Sequence, residues 1–143
     1  PVISHWGIAS GQFISALANP TAGYDISVLQ TFHFSHQKNR KAKQLLDAYY
    51  GKYGLIDIHA IGGVTGLAHA YDLIHLLAAA ADKAGSIETD KLRQGLESLE
   101  NIEGAVKNYD VPFTAKRHDA LWSKDYFMTK YNEKGHLVTV GQK

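Results

Sequence analysis

The stretch Ile26-Ser27-Val28-Leu29-Gln30-Thr31-Phe32-His33-Phe34 decides the reading of the fold. It is rich in β-branched and aromatic residues, which predicts a strand over 26–34. On its N-terminal side Asn19-Pro20-Thr21-Ala22-Gly23 stops a helix, because proline cannot continue one and glycine accepts the turn. That helix is expected over 11–18, capped by Ser10, with Phe13, Ile14 and Leu17 on one face. Ahead of it, residues 1–5 are short, partly β-branched and bounded by Gly7, as in a buried strand. On the C-terminal side Asn39 caps a helix from 40 to about 53, with Leu45, Leu46, Tyr49 and Tyr53 inward. Strand, helix, strand, helix is the order of a layered α/β sheet with crossover helices.

Further out, Ile56-Asp57-Ile58 reads as an extended connector. The longest helical pattern runs from about 65 to 83 and stops at Gly85. Ala68, Tyr71, Leu73, Ile74, Leu76, Leu77 and Ala80 leave little of its circumference polar, which predicts burial on more than one side. A further helix starts at Thr89 or Asp90 and carries Leu92, Leu96 and Leu99. Strands are expected over 106–113, 126–131 and 136–140, the last two joined by a turn at Asn132-Glu133-Lys134-Gly135.

The 143 residues carry 15 Lys+Arg against 14 Asp+Glu, a formal charge of +1. That balance argues against a nucleic-acid partner, which selects a strongly basic face. The absence of Cys removes disulfides, thiol catalysis and Cys-ligated metals. No uninterrupted apolar run of about 18 residues occurs, so a spanning helix is not expected. Residues 1–37 contain one formally charged side chain, Asp25, and a segment so poor in charge is expected to be buried or covered. With a Pro start, this suggests a longer protein cut within a fold.

Ala70-Tyr71-Asp72-Leu73-Ile74-His75-Leu76-Leu77, then Ala80, Lys83-Ala84-Gly85 and Leu92-Arg93-Gln94-Gly95-Leu96-Glu97, resembles the branched-chain amino-acid type of periplasmic solute-binding protein. So do Val111-Pro112-Phe113-Thr114, Arg117-His118-Asp119-Ala120, Tyr126-Phe127-Met128 and Gly135-His136-Leu137-Val138, in the family's order over nearly the whole chain. The resemblance implies an α/β, incomplete type I periplasmic-binding-protein fold, a layered sheet with flanking helices. It implies two lobes joined by crossing segments, a small-molecule ligand held in the cleft, and delivery to the permease of an ABC importer from the periplasm. This chain resembles the C-terminal portion: 1–57 in the C-terminal lobe, 58–103 as helices of the other lobe, and 104–143 back in the C-terminal lobe. Segments 55–61 and 103–109 would then be hinge crossings, with Gly62-Gly63 and Gly104 absorbing the rotation.

His5-Trp6-Gly7, at the end of the first strand, is the leading candidate site. Ligands of open α/β sheets lie beyond the carboxyl ends of strands, where helix N-termini offer N–H groups to an anion. The resemblance places an acidic residue at the position of Trp6 in members that bind α-amino acids. Tryptophan there favours stacking on an aromatic or other organic carboxylate, unless Trp6 packs inside the fold. Thr65 and Gly66 match the family's ligand-facing point on the other lobe. Gly66 leaves room there, and either the Thr65 hydroxyl or the helix-start N–H groups would bind the polar end. Gly62, Gly63 and Gly66 alternatively serve only the chain turn. Tyr71 is expected as packing, and Asp72 as the partner of a nearby basic group.

His33 and His36 fall on opposite faces of a strand, and His69 and His75 lie about 120° apart around a helix, so neither pair grips a metal. No metal or other cofactor is expected. His118-Asp119 lacks the elbow that nucleophilic catalysis needs, so no catalytic residue is assigned. Lys38, Arg40, Lys41 and Lys43 form a basic cluster at a helix start, which opposes the helix dipole. Alongside the transport reading stand a sensory or regulatory ligand-binding domain of the same fold and a small hydrolase using His and Asp. A portion of a larger fold is also expected to self-associate.

Overall fold

The computed structural model describes residues 1–10, 13–17 and 25–141. Four strands form one sheet in the order β1, β2, β5, β6: β1 (Val2–His5), β2 (Ile26–Gln30), β5 (Phe127–Tyr131) and β6 (Leu137–Thr139). β1 and β2 are parallel, with Val2 opposite Ile26, whereas β5 runs antiparallel to β2 and β6 antiparallel to β5. The helices are α1 (Phe13–Ala16), α2 (Arg40–Tyr53), α3 (Val64–Ala84) and α4 (Thr89–Glu97). A two-stranded ribbon, β3 (Ile102–Glu103) with β4 (Asn108–Tyr109), follows α4. The α/β layering read from the sequence is therefore present. Residues 18–24, which contain the expected helix stop, lie outside the described residues, as do 11 and 12 at the expected helix start.

Several elements differ from the sequence reading. The strand predicted over 26–34 ends at Gln30, because the chain then turns to insert Phe32 and Phe34 between the helices. Their rings meet edge-on at 4.9 Å, and the amides of His36 and Gln37 close a turn on the carbonyl of His33, each at 2.9 Å. Phe32, Phe34, Ala42, Leu45, Ile61, Val64, Ala68, Ala105 and Val106 make one buried cluster. The strand predicted over 106–113 shrinks to β4 because the amides before it are used elsewhere. Ala105 and Val106 donate to the carboxylate of Asp72 at 2.5 and 2.9 Å, and Tyr109 Oη donates to Asp72 Oδ2 at 2.9 Å. The expected basic partner of Asp72 is thus replaced by two backbone amides and a phenol. Burial and the nearby Asp72 carboxylate push the Tyr109 phenol well above its usual range. Gly104 is required by the same contact, since a Cβ there would stand 2.4 Å from Asp72 Oδ2.

α3 buries one stripe, Val64, Thr65, Ala68, Asp72, Leu76 and Ala80, rather than several sides. Leu73 and Ile74 are exposed on it. By length and composition alone α3 is apolar enough to cross a membrane, although Asp72, Asp82 and Lys83 interrupt its apolar run. Its buried Thr65 and Asp72, both hydrogen-bonded to other elements, and the packing of Leu76 and Ala80 against Leu99 and Tyr109, make it a core helix. α2 begins where the side chain of Asn39 accepts the amide of Ala42 (2.8 Å) and donates to the carbonyls of Gly104 and Ala105 (3.1 Å each). Arg40 pairs with Glu103, which offsets part of the basic cluster at the helix start. β1 corrects a further expectation: it is an edge strand, with Val2 and Ile3 exposed, not a buried one.

Candidate functional site

The end of β1 turns directly into a single 3₁₀ turn, Trp6–Ala9. His5 precedes it in extended conformation, and its Nδ1 accepts the amide of Gly7 at 3.1 Å. A side chain at residue 7 would place its Cβ 2.7 Å from the His5 ring, so glycine lets the imidazole cap the turn. The His5 ring meets Trp6 edge-on at 5.5 Å and fixes the indole from one side. Trp6 itself is 37% exposed rather than packed inside the fold. Ser10 closes the turn by donating its hydroxyl to the carbonyl of Gly7 at 2.8 Å.

Facing this turn is the start of α3. Gly63 enters the helix in the left-handed region (φ 64°) and brings no side chain to cap the first turn. The first N–H groups of α3, like those of any helix, have no partner within the helix, and Gly63 supplies no side chain to take one. Trp6, Gly7, Ala9, Ser10, Gly63, Val64, Thr65 and Gly66 line a crevice of about 130 Å³. No charged side chain is among them. A Cβ at Gly66 would meet nothing within 4 Å, so that wall is open.

The structure thus brings together Trp6, Gly7, Thr65 and Gly66, four of the five residues singled out in the sequence. His5 supports the turn from behind and does not line the crevice. The Thr65 hydroxyl points inward: it donates to Gln30 Oε1 at 2.7 Å and lies 3.1 Å from the carbonyl of Phe32. That leaves the helix-start N–H groups as the polar donors on this side. Ser10, assigned by sequence to a helix cap, and Gly63, assigned to a hinge, are both walls of the crevice. Among the described residues no group of His, Cys, Asp and Glu is disposed to hold a metal ion.

No family model matches the sequence, and no curated protein does. Solved structures do match. A periplasmic binding protein type 1 from Bordetella pertussis superposes with a TM-score of 0.78 at 18% identity, covering 98% of this chain and 39% of its own. A leucine-binding LivK from Thermotoga maritima gives 0.72 at 20% identity, with 96% and 35% covered. The branched-chain amino acid transporter substrate-binding protein LivJ from Streptococcus pneumoniae, solved with isoleucine, gives 0.72 at 25% identity, with 97% and 37% covered. The chain spans little more than a third of the length of each. Its sheet, helices and connections are those of a partial type I periplasmic-binding-protein fold.

Proposed function

We propose that the chain is part of the solute-binding component of an ABC importer, working outside the cytoplasm by closing a cleft over a small organic ligand. The observation that carries this reading is the crevice between the Trp6 turn and the start of α3, two elements far apart in sequence. Residues 1–57 and 104–143 would belong to one lobe and 58–103 to the other, with closure driven by tighter binding to the closed form than to the open one. The protein would be a carrier of its ligand and not an enzyme, with the importer's permease as its partner.

The crevice favours an aromatic or other organic carboxylate over an α-amino acid. It has an indole face for an apolar body and the start of α3, uncapped by any Gly63 side chain, for an anion, and no carboxylate to neutralise an ammonium group is among the described residues that line it. Denaturing natively purified protein and identifying the released small molecule by mass spectrometry tests the reading directly. A carboxylate with an apolar body, returned chemically unchanged, is the expected product. A zwitterionic amino acid would refute the specificity, and a chemically altered compound would refute the carrier role. In the intact binding protein, Trp6→Ala should weaken binding of that compound by about 1–3 kcal/mol. Unchanged affinity in a folded variant would remove Trp6 from the site.

A further inference from the structure

A second cavity, of about 300 Å³, shares Ala9 and Val64 as walls with the Trp6 crevice and is otherwise lined by different residues. Three imidazoles converge on it from distant parts of the chain: His33 after β2, His59 on the connector before α3, and His136 on the turn between β5 and β6. The His59 and His136 rings stack at 3.9 Å with their planes 8° apart, and His33 lies 6.5 Å from His59. The remaining walls include Ile8, Phe13, Ile61 and Leu137, and no carboxylate is among the described residues that line the cavity. Asp57 lies nearby, but its Oδ1 accepts the amide of His59 at 2.9 Å.

This arrangement is unsuited to a metal, because rings stacked face to face do not aim their nitrogens at one point. His33 Nδ1 is also engaged: it accepts the Ser35 amide at 3.3 Å and lies 2.6 Å from the Ser35 hydroxyl. Among the described residues no acidic side chain lines the cavity, and Asp57 acts on it only from outside the wall. Among the described residues, the titratable groups facing the cluster include His33, His36, His59, His136, Asp57 and the phenol of Tyr131. Burial, then the proximity of His59 and His36, lowers His33 to about 4. Burial and the adjacent His136 lower His59 too, against an opposing pull from Asp57. A proton placed on this cluster is therefore destabilised first by burial and then by the neighbouring rings, and an anion among them would offset that penalty.

We propose that the His33, His59 and His136 cavity is a binding site for a small oxyanion that takes up a proton as it binds. Sulfate is a suitable probe, because its own charge does not change between pH 5.5 and 7.5, so any pH dependence belongs to the protein. At constant ionic strength, NMR of the histidine side chains should show saturable shifts of His59 and His136 on adding sulfate at pH 5.5. The affinity should fall at least tenfold by pH 7.5, since uptake of one proton changes it by up to tenfold per pH unit above the free site's titration range. The ring of exposed His118 serves as the internal reference. Shifts of His59 and His136 that follow His118, or an affinity independent of pH, would overturn the proposal. His136→Gln should weaken sulfate binding tenfold or more. A folded variant that binds as tightly as the parent would overturn it equally, and if the variant does not fold, the pH dependence of the unaltered protein decides the matter.

Discussion

Asp72 is 2% exposed, and its three hydrogen bonds join α3 to the 104–106 segment and to β4. Asparagine has nearly the same shape but turns one acceptor into a donor that would face a backbone N–H. Asp72→Asn should therefore cost about 2–4 kcal/mol, the loss of charge-assisted bonds plus one unsatisfied buried donor. Tyr109→Phe removes a single bond and should cost about 1 kcal/mol. Urea denaturation of both variants checks the order, and equal costs would show that the carboxylate is not the anchor. His33 gives a pH prediction. Its folded-state value of about 4 lies below the ordinary 6.5, so the unfolded chain takes up the proton first as pH falls. The stability tied to neutral His33 is then fully present above pH 6.5 and is lost as pH falls towards 4. His33→Asn keeps an acceptor for Ser35 and removes the titration. In sulfate-free buffer it should lose about 2–3 kcal/mol less than the parent protein between pH 7.5 and 4.5, measured by denaturation at each pH.

α3 and α4 approach so closely that a Cβ at Gly95 would lie 2.5 Å from the Ala80 carbonyl oxygen. Gly95→Ala raises helix propensity but forces the two helices apart, so a net loss of about 1–3 kcal/mol is expected by thermal or chemical denaturation. A stabilised variant would show that the helix pair gives way freely. Elsewhere on α3, Leu73→Glu with Ile74→Glu should change the stability of this chain little, because both side chains are exposed. These elements also show what sequence could and could not convey. Asn39, the 40–53 helix and the stop at Gly85 are legible, because caps and apolar spacing act over a few residues. The early end of β2 and the short β4 are not, because Phe32, Phe34 and Asp72 find their partners far along the chain. Trp6 and Gly66 were marked by a resemblance to a known fold, which carries long-range information that spacing lacks. No such guide existed for His33, His59 and His136, whose sequence separations match no local motif.

At the scale of the whole molecule the apolar surface is unevenly covered. β1 is hydrogen-bonded to β2 along one side, and as an edge strand it leaves its other side unpaired in the described sheet. Ile3 on that strand is 77% exposed, and Leu73 and Ile74 add an apolar area on α3. An unpaired, uncharged edge of this kind is a template for a further strand. The matched structures are more than twice as long, so their folds hold material for which this chain has no counterpart. Self-association of the isolated chain through the β1 edge is the expected consequence. Sedimentation velocity should show a mean mass that rises with concentration, and Ile3→Lys should lower it by placing a desolvation cost and like-charge repulsion on the edge. If Ile3→Lys leaves the association unchanged while Leu73→Glu with Ile74→Glu abolishes it, the contact lies on α3. If the unaltered chain stays monomeric at all concentrations, neither surface drives assembly and the exposed edge is tolerated as it stands.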